Sequence, residues 1–190
     1  VFLKLFTNTY RYAEFSLVNE FYNIAKKKLI DFNDIVSLAK DNYPRLKNLP
    51  SKGFVGGPCL IKDTKTFIKE YDENNQLLTS IQNVNDKFFE NIFNECLEIF
   101  ENKTLIQLGI SFKPNSDDLR SSLSLRFYYY LIENGFKVYP VDKYIKNEDI
   151  KFYEFEEVEG LTSNILIATY HDYFKKLNLS NKKVVTVGNK

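Results

Sequence analysis

Two hydrophobic periods divide this sequence and predict an α+α/β chain, with a helical domain over residues 1–101 and an α/β domain with a parallel sheet over 102–190. In the first half, apolar residues recur at helical spacing, as in Phe2, Leu5, Phe6, Ala13, Leu17, Phe21 and Ile24. From Lys103 onward they fall instead in short runs such as Thr104 to Ile110, the mark of strands buried on both faces. Between them, Lys52-Gly53-Phe54-Val55-Gly56-Gly57-Pro58-Cys59-Leu60-Ile61-Lys62-Asp63 fits neither period. Its three glycines and proline imply a shaped loop whose backbone can lie close against something else.

Each element follows from its own signals. An uninterrupted helix is expected from residue 1 to about 30, with Lys4 and Asn8 one turn apart on one face, and Arg11 extending that polar strip. By spacing alone the Lys4/Asn8 pair reads as a solvated helix face. Asn19 and Glu20 sit among apolar neighbours and suggest a buried polar pair. Asp31 or Asn33 caps a second helix through Lys40, and Pro44 closes it. A third helix is expected over about Thr64–Tyr71 with Asp63 as its N-cap, and a fourth over about Gln76–Glu101 with Cys96 on its apolar stripe. Beyond the strand at 104–110, Ser121 or Ser122 starts a helix that Asn134-Gly135 ends. Strands are expected at 136–141, 152–155, 164–168 and 183–187, with a helical turn over Asp172–Leu177. Strand, loop, helix and strand in repetition imply parallel pairing with right-handed crossovers.

The totals exclude several classes. With 44% hydrophobic residues and a net charge of +1, the chain is neither disordered nor built for nucleic acid or an anionic membrane. No apolar run approaches the roughly 20 residues of a membrane span, and no signal-peptide pattern is present. Two cysteines in unlike settings, Cys59 and Cys96, suggest reduced thiols in a cytoplasmic protein. The start at Val1, inside a helical pattern, suggests a piece of something longer.

Chemistry concentrates in the glycine loop. Cys59 precedes a helix start, where unpaired amides and the dipole favour an anion, and Lys62 adds positive charge. One reading is a cysteine nucleophile with a carboxylate at hand; the other is a glycine turn with a small buried cysteine and a cap. In the second half, Lys113, Asp117, Asp118 and Arg120 crowd the loop after the first strand, where an open α/β sheet binds ligands. That loop reads Gly109-Ile110-Ser111-Phe112-Lys113-Pro114, without the glycine pattern of a dinucleotide site. His171, the one histidine, lies far along the chain from Cys59. A cysteine hydrolase using it as base is a remote alternative, and a capping or surface role for His171 is expected.

Taken in order, four segments resemble the UDP-glucose/GDP-mannose (nucleotide-sugar 6-) dehydrogenase family. They are Lys4-x-x-x-Asn8 with Asn19-Glu20, Gly56 to Asp63, Leu108 to Arg120, and Ala168-Thr169-Tyr170-His171-Asp172-Tyr173-Phe174. The resemblance implies a helical central domain and a Rossmann-like UDP-sugar-binding domain, with the family's N-terminal NAD domain absent. It implies oxidation of the C6 alcohol of a UDP-sugar to a carboxylate with NAD, through an aldehyde and a cysteine thioester. Carried over, Cys59 is the nucleophile, Asp63 assists proton transfer or the hydrolytic water, and Lys4 and Asn8 stabilise the oxyanion at C6. Arg45, Gly53, Phe54, Gly56, Phe112 and Lys113 would bind substrate, Arg45 by reaching into a second subunit's site. Cys59, Leu60 and Arg120 would face the NAD, and no metal is implied. The long first helix would form a homodimer. Pro58 and the closing Val187-Gly188-Asn189-Lys190 depart from common family patterns and leave the sugar open. The alternative is a non-catalytic UDP-sugar-binding or dimerisation module of the same fold.

Overall fold

A computed structural model describes residues 1–57, 59–71 and 76–188. Pro58 and the last two positions of the C-terminal departure lie outside the described residues. The chain forms two compact units, Val1–Asn91 and Ile92–Gly188, and no described helix is long and apolar enough to cross a membrane.

The first unit opens with α1 (Phe2–Lys27). It ends at a left-handed turn: Leu29 has φ +57°, Ile30 N–H donates to Ala25 O at 3.0 Å and Leu29 N–H to Lys26 O at 3.1 Å. This is a Schellman stop with leucine where glycine is usual. α2 (Phe32–Asn42) follows, capped by Asp31, whose carboxylate accepts from Asn33 N at 2.8 Å. A single 3-10 turn, Pro44–Leu46, carries Arg45. α3 (Leu60–Tyr71) begins about four residues before the sequence suggests, because the Cys59 carbonyl already accepts from Asp63 N at 2.8 Å. Asp63 is therefore not the N-cap but lies inside the first turns, and it is buried. α3 lies along the N-terminal half of α1, with Phe2 against Phe67 and Tyr71 at 5.5 and 5.2 Å between ring centroids. α4 (Gln76–Ile99) passes from the first unit into the second. Val18, Ala25, Phe32 and Val36 form a core cluster with Tyr22 and Leu49.

The second unit is a four-stranded parallel sheet of β1 (Thr104–Leu108), β2 (Lys137–Val141), β3 (Asn164–Ile167) and β4 (Lys183–Thr186), in the order β2-β1-β3-β4. All three pairings are parallel, with Ile106 opposite both Tyr139 and Ile165. Alternate residues serve opposite faces. Ile106, Leu108, Ile165 and Ile167 cluster with Phe155, Val158 and Phe174. On the other face Gln107 reaches α5 (Leu123–Glu133), its amide donating to Ser124 O at 2.9 Å. Ser122 caps α5 by accepting from Leu125 N. The strand expected at 152–155 does not form. Its last residue instead opens the short α6 (Phe155–Val158), where the Glu157 carboxylate turns back to accept from Glu154 N at 3.0 Å. A 3-10 turn, Asp172–Lys176, follows β3.

The chain leaves β1 for β2 on one side and returns to β3 on the other, so the carboxyl ends of β1 and β3 flank the switch point where such sheets take ligands. There the two connections touch. Gly109 has φ +83°, and a Cβ on it would stand 2.0 Å from Thr169 O.

Two substitutions at left-handed positions should act in opposite directions. Gly109→Ala meets both the φ penalty and backbone overlap and should cost roughly 2–5 kcal/mol in denaturant unfolding. Leu29→Gly relieves strain at an exposed site and should gain about 0.5–1 kcal/mol.

Candidate active site

The glycine loop is held by side chains of the long first helix. Asn19, fully buried, donates from Nδ2 to Gly53 O and accepts at Oδ1 from Gly53 N–H, both at 2.9 Å. Its Nδ2 also meets Asn85 Oδ1 at 3.2 Å, and Asn85 Nδ2 donates to Ser16 Oγ at 2.5 Å. Ser16 Oγ in turn donates to Tyr12 O at 2.7 Å. The buried pair expected of Asn19 and Glu20 is thus Asn19 with Asn85, and Glu20 points to solvent. A neighbouring residue on a helix is rotated by about 100°, which takes Glu20 off the inner face.

Around this clamp the loop packs tightly. Phe54 sits against Phe88 and Phe89, with centroids at 6.3 and 5.4 Å, and Val55 is buried. The Lys52 ammonium lies 4.3 Å from the Tyr22 ring centroid, with the residue 4% exposed. Gly56 N–H donates to Phe54 O at 3.1 Å. Gly57, at φ +95°, turns the chain toward α3.

Cys59 is exposed at the start of α3, where the first helical amides have no intrahelical acceptor. Leu60 follows as the first helical residue. One turn on, Asp63 Oδ2 accepts from Asn8 Nδ2 at 2.6 Å and pairs with Lys4 Nζ at 3.1 Å. The Asn8 hydrogen bond, helped by the Lys4 ammonium, holds the Asp63 carboxyl below the usual carboxylate range although burial opposes it. Lys4 and Asn8 are therefore not merely a solvated face: they converge on one carboxylate, while the Lys4 side chain stays 65% exposed and open to a further acceptor. Arg45 stands exposed on its 3-10 turn.

The second unit holds the remaining candidates. Phe112 N–H donates to Asp118 O at 3.0 Å, closing a loop after β1. Lys113 is exposed, its ammonium 5.5 Å from the Phe112 ring centroid. Arg120 Nε and Nη2 reach Asp118 at 3.0 and 2.8 Å, and this guanidinium holds the Asp118 carboxyl down at about 2. Asp142, at the end of β2, and His171, after β3, form a buried pair at 2.9 Å. His171 stands at the N-cap position of the following turn, but its side chain makes no capping hydrogen bond and is buried, not on the surface. No sequence signal joined residues so far apart.

Residues 2–87 match the UDP-glucose/GDP-mannose dehydrogenase family, central domain, and residues 106–189 match that family's UDP binding domain. The chain belongs to this family. It is 31% identical over 185 residues to the UDP-N-acetyl-D-mannosamine dehydrogenase of Methanocaldococcus jannaschii, covering 94% of this chain and 43% of that protein. Among solved structures, the UDP-D-ManNAc dehydrogenase of Pyrococcus horikoshii superposes with a TM-score of 0.83 at 27% identity, over 98% of this chain and 47% of that one. The UDP-N-acetyl-mannosamine dehydrogenase of S. aureus gives 0.77 at 26% identity, over 95% of this chain and 44% of that one. The chain thus spans less than half the length of these family members.

The clustering of Lys4, Asn8 and Asp63 has a titration consequence. A carboxyl whose folded pKa is depressed contributes stability above its unfolded pKa of about 3.9 and loses it as pH falls through the folded value. Asn8→Ala should raise the Asp63 pKa in a carboxyl NMR titration. It should also cost about 1.5–3 kcal/mol at pH 7, a difference that shrinks once Asp63 is protonated.

Proposed function

We propose that this chain supplies the sulfur, the proton-handling groups and the UDP-sugar site of an NAD-dependent nucleotide-sugar 6-dehydrogenase. The observation that carries this reading is the convergence of Lys4, Asn8 and Asp63 one helical turn from an exposed cysteine. The relatives' names make UDP-N-acetyl-D-mannosamine the first substrate to test.

In this reading the Cys59 sulfur adds to the C6 aldehyde and, after oxidation, carries C6 as a thioester. Lys4 Nζ and Asn8 Nδ2 donate to the oxygen on C6 as it gains charge. Asp63, kept ionised by those same donors, orients the water that hydrolyses the thioester and receives its proton. The products are the carboxylate and the free thiol. In the first unit Arg45, Gly53, Phe54 and Gly56 are proposed to contact the sugar-nucleotide; in the second unit the proposed substrate contacts are Phe112 and Lys113.

NAD+, when bound, would supply the oxidising power, two molecules each accepting one hydride. The positions proposed to face the cofactor are Cys59 and Leu60 in the first unit and Arg120 in the second.

The outer face of α1 supports a homodimer. Leu3, Phe6, Tyr10, Leu17, Phe21 and Ile24 are each about half exposed or more. They lie within about 60° of one another on the helix, opposite Asn8 and Asn19. An unpartnered stripe of this kind fits a second copy related by two-fold symmetry.

Two measurements test the proposal. Saturating UDP-N-acetyl-D-mannosamine should slow iodoacetamide labelling of Cys59 at least fivefold by mass spectrometry, with buried Cys96 as the unreactive reference. Labelling unchanged by the ligand contradicts the site. Sedimentation at micromolar concentration should show a dimer that Leu17→Glu converts to a monomer; a wild-type monomer contradicts the interface.

A further inference from the structure

Within the second unit the loop after β1 is fastened by a set of polar contacts, with the buried His171 at their centre. Asp142 Oδ2 accepts from Ile110 N at 2.9 Å and Ser111 N at 3.4 Å, and it meets His171 Nε2 at 2.9 Å. Thr169 Oγ1 donates to Ser111 O at 2.6 Å. At the far end of the loop, Asn115 N–H donates to His171 Nδ1 at 2.9 Å. Asn115 stands at φ +54°, a conformation that local contacts must hold in place. The Asn115 side chain exchanges hydrogen bonds with Asp172, donating to Oδ2 at 2.6 Å and accepting from Asp172 N at 3.0 Å.

These contacts fix the proton on the imidazole. A backbone N–H can only donate, so Nδ1 must present its lone pair to Asn115. The ring proton then sits on Nε2 and is donated to the Asp142 carboxylate. Burial pushes the Asp142 carboxyl up, but the hydrogen bonds from His171 and from the Ile110 and Tyr144 amides outweigh it and leave it lowered. The imidazole is fully buried among Tyr144, Tyr173 and Phe174, with centroids at 5.0, 5.6 and 5.3 Å. The charged groups around it are Asp142 and Asp172, with Lys175 paired to Asp172 and Lys143 over the Tyr173 ring at 4.3 Å. Burial keeps the Tyr173 phenol protonated, its pKa raised above the ordinary value.

We propose that His171 is a positioning residue: its Nε2–H tautomer couples Asp142 to Asn115 and sets the shape of the Phe112–Arg120 loop for the UDP moiety. The inference rests on the reading of that loop as part of the nucleotide-sugar site. A second proton on Nδ1 would set one N–H against another and release Asn115. The loop therefore has its binding shape only while Nδ1 keeps its lone pair for the Asn115 amide.

His171 is the sole histidine of the chain, so its nitrogen NMR signals are unambiguous. At neutral pH they should report protonated Nε2 and bare Nδ1, with the Asn115 amide slow to exchange. UDP-N-acetyl-D-mannosamine is the probe for calorimetry. His171→Leu should lose at least about tenfold in affinity at neutral pH. His171→Gln, which offers an acceptor and a donor in their place, should recover most of that loss. Should His171→Leu fail to fold, the tautomer, the Asn115 amide and the Gln variant's affinity decide. An Nδ1–H tautomer, a freely exchanging Asn115 amide, or a folded His171→Gln protein at least about tenfold weaker than wild type overturns the proposal. Wild-type protein with the expected tautomer and protected amide but no uptake of the probe overturns the ligand assignment and leaves the histidine contact standing.

Discussion

The first unit depends on one side-chain amide. The loop from Lys52 to Gly57 is drawn in against Tyr22, Phe88 and Phe89. Its backbone groups need partners once they leave water. Asn19 offers a donor and an acceptor in one plane, and both close on Gly53. Taking that carboxamide away would strand two backbone groups, each costing about 1–3 kcal/mol where it is buried. Asn85 and Ser16 behind it satisfy the rest of the amide and fix its orientation.

The same helix sets both ends of the loop. Asn8 and Asn19 are eleven residues apart in the sequence, which on an α-helix is about 16 Å of rise and a rotation back to within about 20° of the same face. α1 therefore acts as a rigid rule. At one mark it grips Gly53, and at the other Lys4 and Asn8 hold Asp63 in α3. Cys59 lies on the stretch between those two grips, so its location follows from a helix that contributes no atom to the thiol. The opposite face of α1 keeps its apolar stripe exposed, which leaves polar and apolar work on separate sides of one element. In the second unit, Gly109 and Thr169 play a comparable part. A glycine with no Cβ lets the β1 and β3 connections touch, and the Thr169 hydroxyl then ties down Ser111.

Much of this could be read from residue order, because it rests on period and punctuation. The change of hydrophobic period at Lys103, the Asp31 and Ser122 caps and the glycine loop all carry local signals, and the structure bears them out. The i, i+4 spacing of Lys4 and Asn8 put them on one face, but only coordinates show the carboxylate on which they converge. The departures have local causes as well. Asp63 looks like a cap because it precedes a polar helical pattern, yet Leu60 and Ile61 already form the first turn. Leu29 gave no sign of a left-handed stop, since leucine rarely takes that conformation. Phe152 to Phe155 are rich in aromatics like a strand, but the Glu154–Glu157 interaction starts a helix at Phe155. The Asp142–His171 pair was invisible because parallel strands bring together residues whose spacing in the chain is arbitrary.

The exchange rate of the Gly53 amide proton tests the central claim most directly. If Asn19 clamps the loop, that proton should exchange as slowly as the interior amides of α1, and in Asn19→Ala it should exchange at the rate of an open loop while α1 stays protected. A Gly53 amide that exchanges freely in the wild-type protein would contradict the account, since the loop before Cys59 would then have lost its grip on α1.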